Sequence, residues 1–131
     1  MSLKTYAAKI FAKHIHKKIQ NWSKNPIKTQ EKVLQNLLKK AKHTLFGIDH
    51  AFSTISNYTE FKTNVPIRDY EGLKNYVEEI KKGKLDVLWP GKPIYFAKTS
   101  GTTSGTKYIP ISKESIKNQI ELIQGFDHTN L

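Results

Sequence analysis

The chain contains no cysteine. That excludes a disulfide scaffold, a Cys-ligated zinc site and a cysteine nucleophile, and it agrees with a reducing, cytoplasmic setting. Arginine is almost missing too. Arg68 is the single one among 22 basic residues, so the formal net charge of +11 is carried by lysine. Sequence-specific base readout favours the flat bidentate fork of arginine, which lysine cannot supply. Lysine pairs such as Lys17-Lys18, Lys39-Lys40 and Lys81-Lys82 read as solvated helix faces. No apolar run approaches the roughly 20 residues of a membrane-spanning helix. The basic N-terminus is not followed by a continuous apolar stretch, so no signal peptide is expected. Internal repeats and low-complexity tracts are also lacking.

What is present is a chain of 131 residues, 37% hydrophobic and 25% charged, enough for one domain with a modest core. Leu3, Ala7, Ile10, Phe11, Ile15, Ile19 and Trp22 recur at helical spacing and predict a first amphipathic helix. Asn25-Pro26 predicts a second, with Asn as cap and Pro in the first turn. It would carry Ile27, Leu34, Leu37, Leu38, Ala41 and Leu45 on one face, with Gly47 as its stop. Ile48, Phe52 and Ile55 suggest a short helix or turn. Residues 57–66 read as a loop anchored by Phe61 and Val65. Asp69 caps a further helix with Tyr70, Leu73, Tyr76, Val77 and Ile80 on its apolar face. Glu71 in its first turn, Lys81 and Lys82 in its last, and Gly83 beyond its end match the helix dipole and the usual stop signal. Residues 85–93 read as an extended piece broken by a Pro-Gly turn. Residues 94–98 and 108–111 read as two strands, and Ser112 as the cap of a last helix. Trp22, Trp89, Tyr70 and Tyr76 read as core side chains. The expected class is α+β, mostly helical with a β-hairpin. One hairpin does not make an independently stable sheet, so the chain reads as the start of a larger α/β protein.

Between the two strands lies the densest chemistry. Thr99, Ser100, Gly101, Thr102, Thr103, Ser104, Gly105 and Thr106 form an unbroken run closed by Lys107. Glycine admits close approach and positive φ. Successive backbone N–H groups in a tight loop make an anion cradle. Hydroxyls add donors and lysine adds charge, so the set suits a polyphosphate. It is not the P-loop G-x-x-x-x-G-K-[ST]. Gly101 to Gly105 is one residue short, Thr106 stands before Lys107, Tyr108 replaces the Ser/Thr, and a strand follows instead of a helix. A solvated hairpin turn would also use Gly, Ser and Thr, but it has no need of the terminal lysine.

Thr99-Ser100-Gly101-Thr102-Thr103 resembles the phosphate-binding signature of adenylate-forming enzymes, [ST]-[ST]-G-[ST]-[ST]-G-x-P-K. "TSGTTSGTKYIPIS" resembles more closely the version in the auxin-responsive acyl acid–amido synthetase family, bacterial members included. The resemblance extends through "FGIDHAF", "FKTNVPIRDYEGLKNYVEEIKKGK" and "LWPGKPIYFAKTSGTT" and so covers most of the chain. Two departures from the broad signature stand out: Ser104 is an extra residue before Gly105, and no proline precedes Lys107. The resemblance implies an ATP-dependent ligase that adenylates a carboxylic acid and then forms an amide with an amino acid, with ATP and Mg²⁺ as cofactors. It implies that Thr99, Ser100, Gly101, Thr102, Thr103, Ser104 and Gly105 line the ATP phosphates, and that Lys107 is catalytic at the outer phosphates. It also implies that the adenine, acid and C-terminal sites lie in later sequence. Residues 1–131 would then be the N-terminal segment of a larger adenylating domain, with a helical region at 1–83 and the hairpin, loop and following helix at 84–131. Alone, such a segment is expected to lack ligase activity and to self-associate through its open hairpin edge.

No other constellation competes. His14 and His16 are two apart on a helix and face different ways, so no metal site is expected. The alternative from another class is a basic helical module that binds nucleic acid or another polyanion without catalysis. The ordered run 99–107 is the feature such a module does not need.

Overall fold

The computed structural model describes residues 3–99 and 105–127. Six helices and one hairpin follow in chain order: α1 (Leu3–Lys24), α2 (Pro26–Ala41), α3 (Leu45–Asp49), α4 (Tyr58–Asn64), α5 (Tyr70–Lys81), β1 (Tyr95–Thr99), β2 (Lys107–Ile111) and α6 (Lys113–Asp127). The α+β class is thus observed. The chain divides into two compact units, one of Glu31–Lys113 and the other of Met1–Gln30 with Glu114–Leu131.

In the second of these units α1 runs uninterrupted, as its periodicity predicts. The Asn25 carbonyl accepts the Thr29 N–H at 3.0 Å, and Pro26, whose missing N–H costs nothing at this position, opens α2. Trp22 is not a core residue: it is 43% exposed.

The unit Glu31–Lys113 holds the core. Leu38 and Ala41 at the end of α2, Ile55, Val77 and Ile80 of α5, and Val87 are buried. Phe46 joins them as the centre of a ring cluster. His50 stacks on it at 4.0 Å, Tyr76 meets it edge-on at 5.2 Å and Phe52 at 5.8 Å. Tyr76, Tyr70 and Trp89 are half-buried, short of the full burial their spacing suggests. The Tyr76 hydroxyl donates to Asp49 Oδ2 at 2.7 Å, and burial, followed by that bond, raises its pKa.

The second helix does not run on to Gly47, as the apolar spacing predicts. It stops at Ala41, and Leu45 opens α3 with Gly47 inside it. Thr44 is the reason. Its hydroxyl donates to the Ala41 carbonyl at 2.7 Å and accepts the Gly47 N–H at 3.0 Å, ending one helix and capping the next. Gly47 is there for space: a Cβ would run into the Ala41 carbonyl oxygen. The stop comes at Ala51, in the left-handed region at φ 52°. The Ala51 N–H reaches the Ile48 carbonyl at 3.1 Å and the Phe52 N–H the Gly47 carbonyl at 2.8 Å, the paired bonds of a Schellman ending.

Residues 57–66 are not a loop throughout. Asn57 caps α4, accepting the Glu60 N–H at 3.0 Å, and Glu60 accepts from the Ser56 N–H at 2.7 Å and the Ser56 hydroxyl at 2.9 Å. Glu60 thus reaches back to the N–H just before the cap, one residue further than in the usual capping box. The fifth helix follows its signals closely. Asp69 accepts the Gly72 N–H at 3.0 Å, and Gly83 follows the last turn at φ 95°.

From there the chain returns to α3. The carbonyls of Asp86 and Val87 accept the Leu45 and Phe46 N–H groups at 2.7 and 2.9 Å. The turn back is closed by Asp86 Oδ1, which accepts the Gly91 N–H at 2.6 Å. Val87 is seated at 1% exposure, and the hairpin begins a few residues later.

Two outcomes test this framework. Gly47→Ala should lower stability by about 1–3 kcal/mol in urea denaturation, because a backbone carbonyl cannot yield as a side chain can. The hydrogen bond from the Ser56 amide, the largest cause, holds the Glu60 pKa below the ordinary carboxylate value. A carboxylate depressed on folding stabilises above its unfolded pKa and loses that contribution as pH falls through its folded one. Glu60→Gln should therefore be less stable than wild type at neutral pH, with the gap closing through the acid range. A gap unchanged from pH 7 to pH 3 would contradict this.

Candidate functional site

The hairpin pairs Tyr95 with Ile111, Phe96 with Pro110, Ala97 with Ile109, Lys98 with Tyr108 and Thr99 with Lys107. Both strands sit within a residue of their expected positions. The hydroxyl-rich run is therefore clamped at its ends by a backbone pair, Thr99 opposite Lys107. Ser100, Gly101, Thr102, Thr103 and Ser104 lie outside the described residues. Of the remaining candidates, Thr99 is exposed in β1, Gly105 is exposed, and Lys107 is half-buried in β2.

Gly105 has φ 77°, and among the described residues no heavy atom lies within 4 Å of where a Cβ would stand. The left-handed backbone is itself a demand for glycine. β2 begins two residues later, at Lys107.

What holds β2 in place is α5. The Tyr108 N–H donates to the Tyr70 hydroxyl at 3.0 Å. Tyr70 is the first residue of α5, placed there by the Asp69 cap. The Lys107 ammonium lies 5.6 Å above the centre of the same Tyr70 ring, and the Lys81 ammonium lies 4.7 Å from the centre of the Tyr108 ring. Each such contact contributes about 0.5–1 kcal/mol near a surface. The Phe96 ring meets Tyr108 edge-on at 6.4 Å.

The two lysines differ in one respect. Lys81 is bonded to both Glu78 carboxylate oxygens, at 2.8 and 3.1 Å, and that bond is the main reason its pKa is raised. Among the described residues no carboxylate lies within ion-pair distance of Lys107. Its ammonium lies over the neutral Tyr70 ring instead.

Tyr70 was not legible as a site residue. It stands at an ordinary apolar position of an amphipathic helix, and its partner Tyr108 is 38 residues away. No local spacing signals such a contact. His14 and His16 are exposed on α1, and His16 Nε2 lies 2.9 Å from the Gln20 side-chain nitrogen. Among the described residues no three His, Asp or Glu come together as a metal-holding group.

Gly105→Ala should cost about 1 kcal/mol net, since the left-handed conformation opposes a Cβ by about 1–2 kcal/mol and the stiffer unfolded chain returns part of it. Gly105→Asn should cost less, because Asn tolerates this region. Equal losses for Ala and Asn in urea titrations would point to a steric cause and contradict the conformational one.

With this geometry in hand, the chain can be set beside known proteins. A family model described as the GH3 family N-terminal domain matches residues 15–129. Indole-3-acetic acid-amido synthetase GH3.2 of Arabidopsis thaliana is 30% identical over 100 residues, covering 75% of this chain and 18% of that protein. Indole-3-acetic acid-amido synthetase GH3.4 of the same plant is 30% identical over 103 residues, with 77% and 17% covered. A third, GH3.15, is 28% identical over 104 residues. The chain spans less than a fifth of the length of these relatives.

Proposed function

Because the chain belongs to the GH3 family, matching its N-terminal domain, we propose that Thr99–Lys107 is the triphosphate-binding loop of an ATP-dependent acyl acid–amido synthetase. The relatives are named as amido synthetases of indole-3-acetic acid. The acid and the amine used by this protein are defined only by class, a small carboxylic acid and an amino acid. In the first step a carboxylate oxygen attacks the α-phosphorus of ATP, the bond to the β-phosphate oxygen breaks, and pyrophosphate leaves. In the second the amine nitrogen attacks the acyl carbon, the bond to the adenylate oxygen breaks, AMP leaves, and the nitrogen gives up a proton.

The observation that carries this reading is the clamped hairpin. Register fixes Thr99 against Lys107, so the hydroxyls and N–H groups between them are confined to one short loop with an ammonium at its exit. In-line displacement at phosphorus builds charge on the phosphate oxygens, and pre-aimed donors stabilise it without reorganising. Ser100, Thr102, Thr103 and Ser104 supply hydroxyls in this reading. Gly101 and Gly105 give backbone access, Thr99 starts the turn, and Lys107 meets the outer phosphates. In this reading Mg²⁺ would arrive with the nucleotide, held mainly by its phosphates. Residues 1–131 would act as part of a longer adenylating fold and not alone. No described helix is long and apolar enough to cross a membrane, and a cytoplasmic setting, where ATP is supplied, belongs to the same proposal.

The test is single-turnover pyrophosphate release by the full-length enzyme. Gly101→Val should place a branched side chain where a phosphate must approach and abolish most of the adenylation rate. Ser100→Ala and Thr102→Ala should each cost roughly 1–3 kcal/mol of transition-state stabilisation, about 5- to 150-fold in rate. Lys107→Ala should slow adenylation while amide formation from supplied acyl-adenylate continues. Normal pyrophosphate release in Gly101→Val and Lys107→Ala would refute the phosphate-binding reading.

A further inference from the structure

We propose that Tyr70 is the positioning residue for Lys107, its ring steadying the ammonium at the loop exit and its hydroxyl fixing the strand that carries it. This rests on the reading of Lys107 as a phosphate-facing group. A lysine has four rotatable side-chain bonds, and an unrestrained ammonium sweeps a wide volume. Two contacts from one side chain narrow that sweep. The Tyr70 hydroxyl accepts the Tyr108 N–H at 3.0 Å and so sets where the backbone next to Lys107 stands. The Tyr70 ring lies 5.6 Å beneath the ammonium and sets where the side chain ends. Tyr70 is itself fixed, because the Asp69 side chain caps the helix it opens. The choice of an aromatic ring over a carboxylate matters. A carboxylate holds a lysine by neutralising it, as Glu78 holds Lys81 at 2.8 Å. A ring holds it through its quadrupole and leaves the charge whole for an incoming phosphate.

The consequence is a coupling between two residues 37 positions apart. The affinity of the full-length protein for ATP, read by titration calorimetry, tests it. Tyr70→Leu removes the ring and should weaken ATP binding about 3- to 30-fold. Tyr70→Phe keeps the ring and loses the acceptor, so ATP affinity should fall by less than in Tyr70→Leu while thermal stability falls as well. In a Lys107→Ala background the Tyr70→Leu effect should disappear, since the group being positioned is gone. Independent, multiplying losses in the double variant would overturn the proposal while leaving Lys107 its role. Wild-type ATP affinity in Tyr70→Leu would overturn it as well, because the ring and the hydroxyl are then both lost without consequence for Lys107. Unchanged ATP affinity in Lys107→Ala itself would overturn the underlying phosphate reading instead.

Discussion

The hydroxyl of Thr44, at 1% exposure, is the joint on which the compact unit turns. One oxygen both donates to the last carbonyl turn of α2 and accepts an amide of α3. That leaves the Leu45 and Phe46 amides of α3 without helical partners, and the carbonyls of Asp86 and Val87 take them. The end of α2, the start of α3 and a segment some forty residues further along are therefore locked together by four polar bonds. Buried amides left unmatched would cost about 1–3 kcal/mol each. The returning strap between α5 and the hairpin consequently has little freedom to shift, and the hairpin inherits its starting point from it.

Where the sequence could be read, a signal and its physical cause lay within one turn of each other. Asp69, Lys81 and Gly83 mark the ends of α5 because capping, dipole and left-handed closure act locally. The hairpin was legible to within a residue because strand patterning is local too. Gly47 was misleading for the opposite reason. A glycine after an apolar run suggests a helix stop, but its role is to make room for the Ala41 carbonyl. The true ending uses Ala51, which carries no sequence mark for a left-handed residue. Asn57 and Glu60 do spell a cap. The weak apolar content of the short helix that follows hid it, since so short an element rests on its cap more than on a buried face.

The candidate site divides along the same line. The run 99–107 stands out by composition alone, an unbroken series of glycines and hydroxyl residues closed by a lysine. The support beneath it does not. Tyr70 and Tyr108 meet across the fold, and neither residue's own neighbours hint at the other. Lys81 and Lys107 look alike on paper, each a lysine near tyrosines. Only the placement of Glu78 beside one of them, and of the Tyr70 ring beneath the other, distinguishes their surroundings.

This separation of loop from support explains how so polar a segment is carried by a small fold. Glycines and hydroxyl residues in general bury little and forfeit backbone entropy when ordered. The described residues at the two ends of the run are each constrained. At Thr99 the constraint is strand pairing. At Lys107 it is strand pairing together with Tyr70, anchored in turn through α5, whose Val77 and Ile80 are buried. The buried groups thus specify the fold that sets where the ends of the run stand. A substitution at Gly47 acts on the buried joint beside the Ala41 carbonyl, and one at Tyr70 acts on the strand that leaves the run.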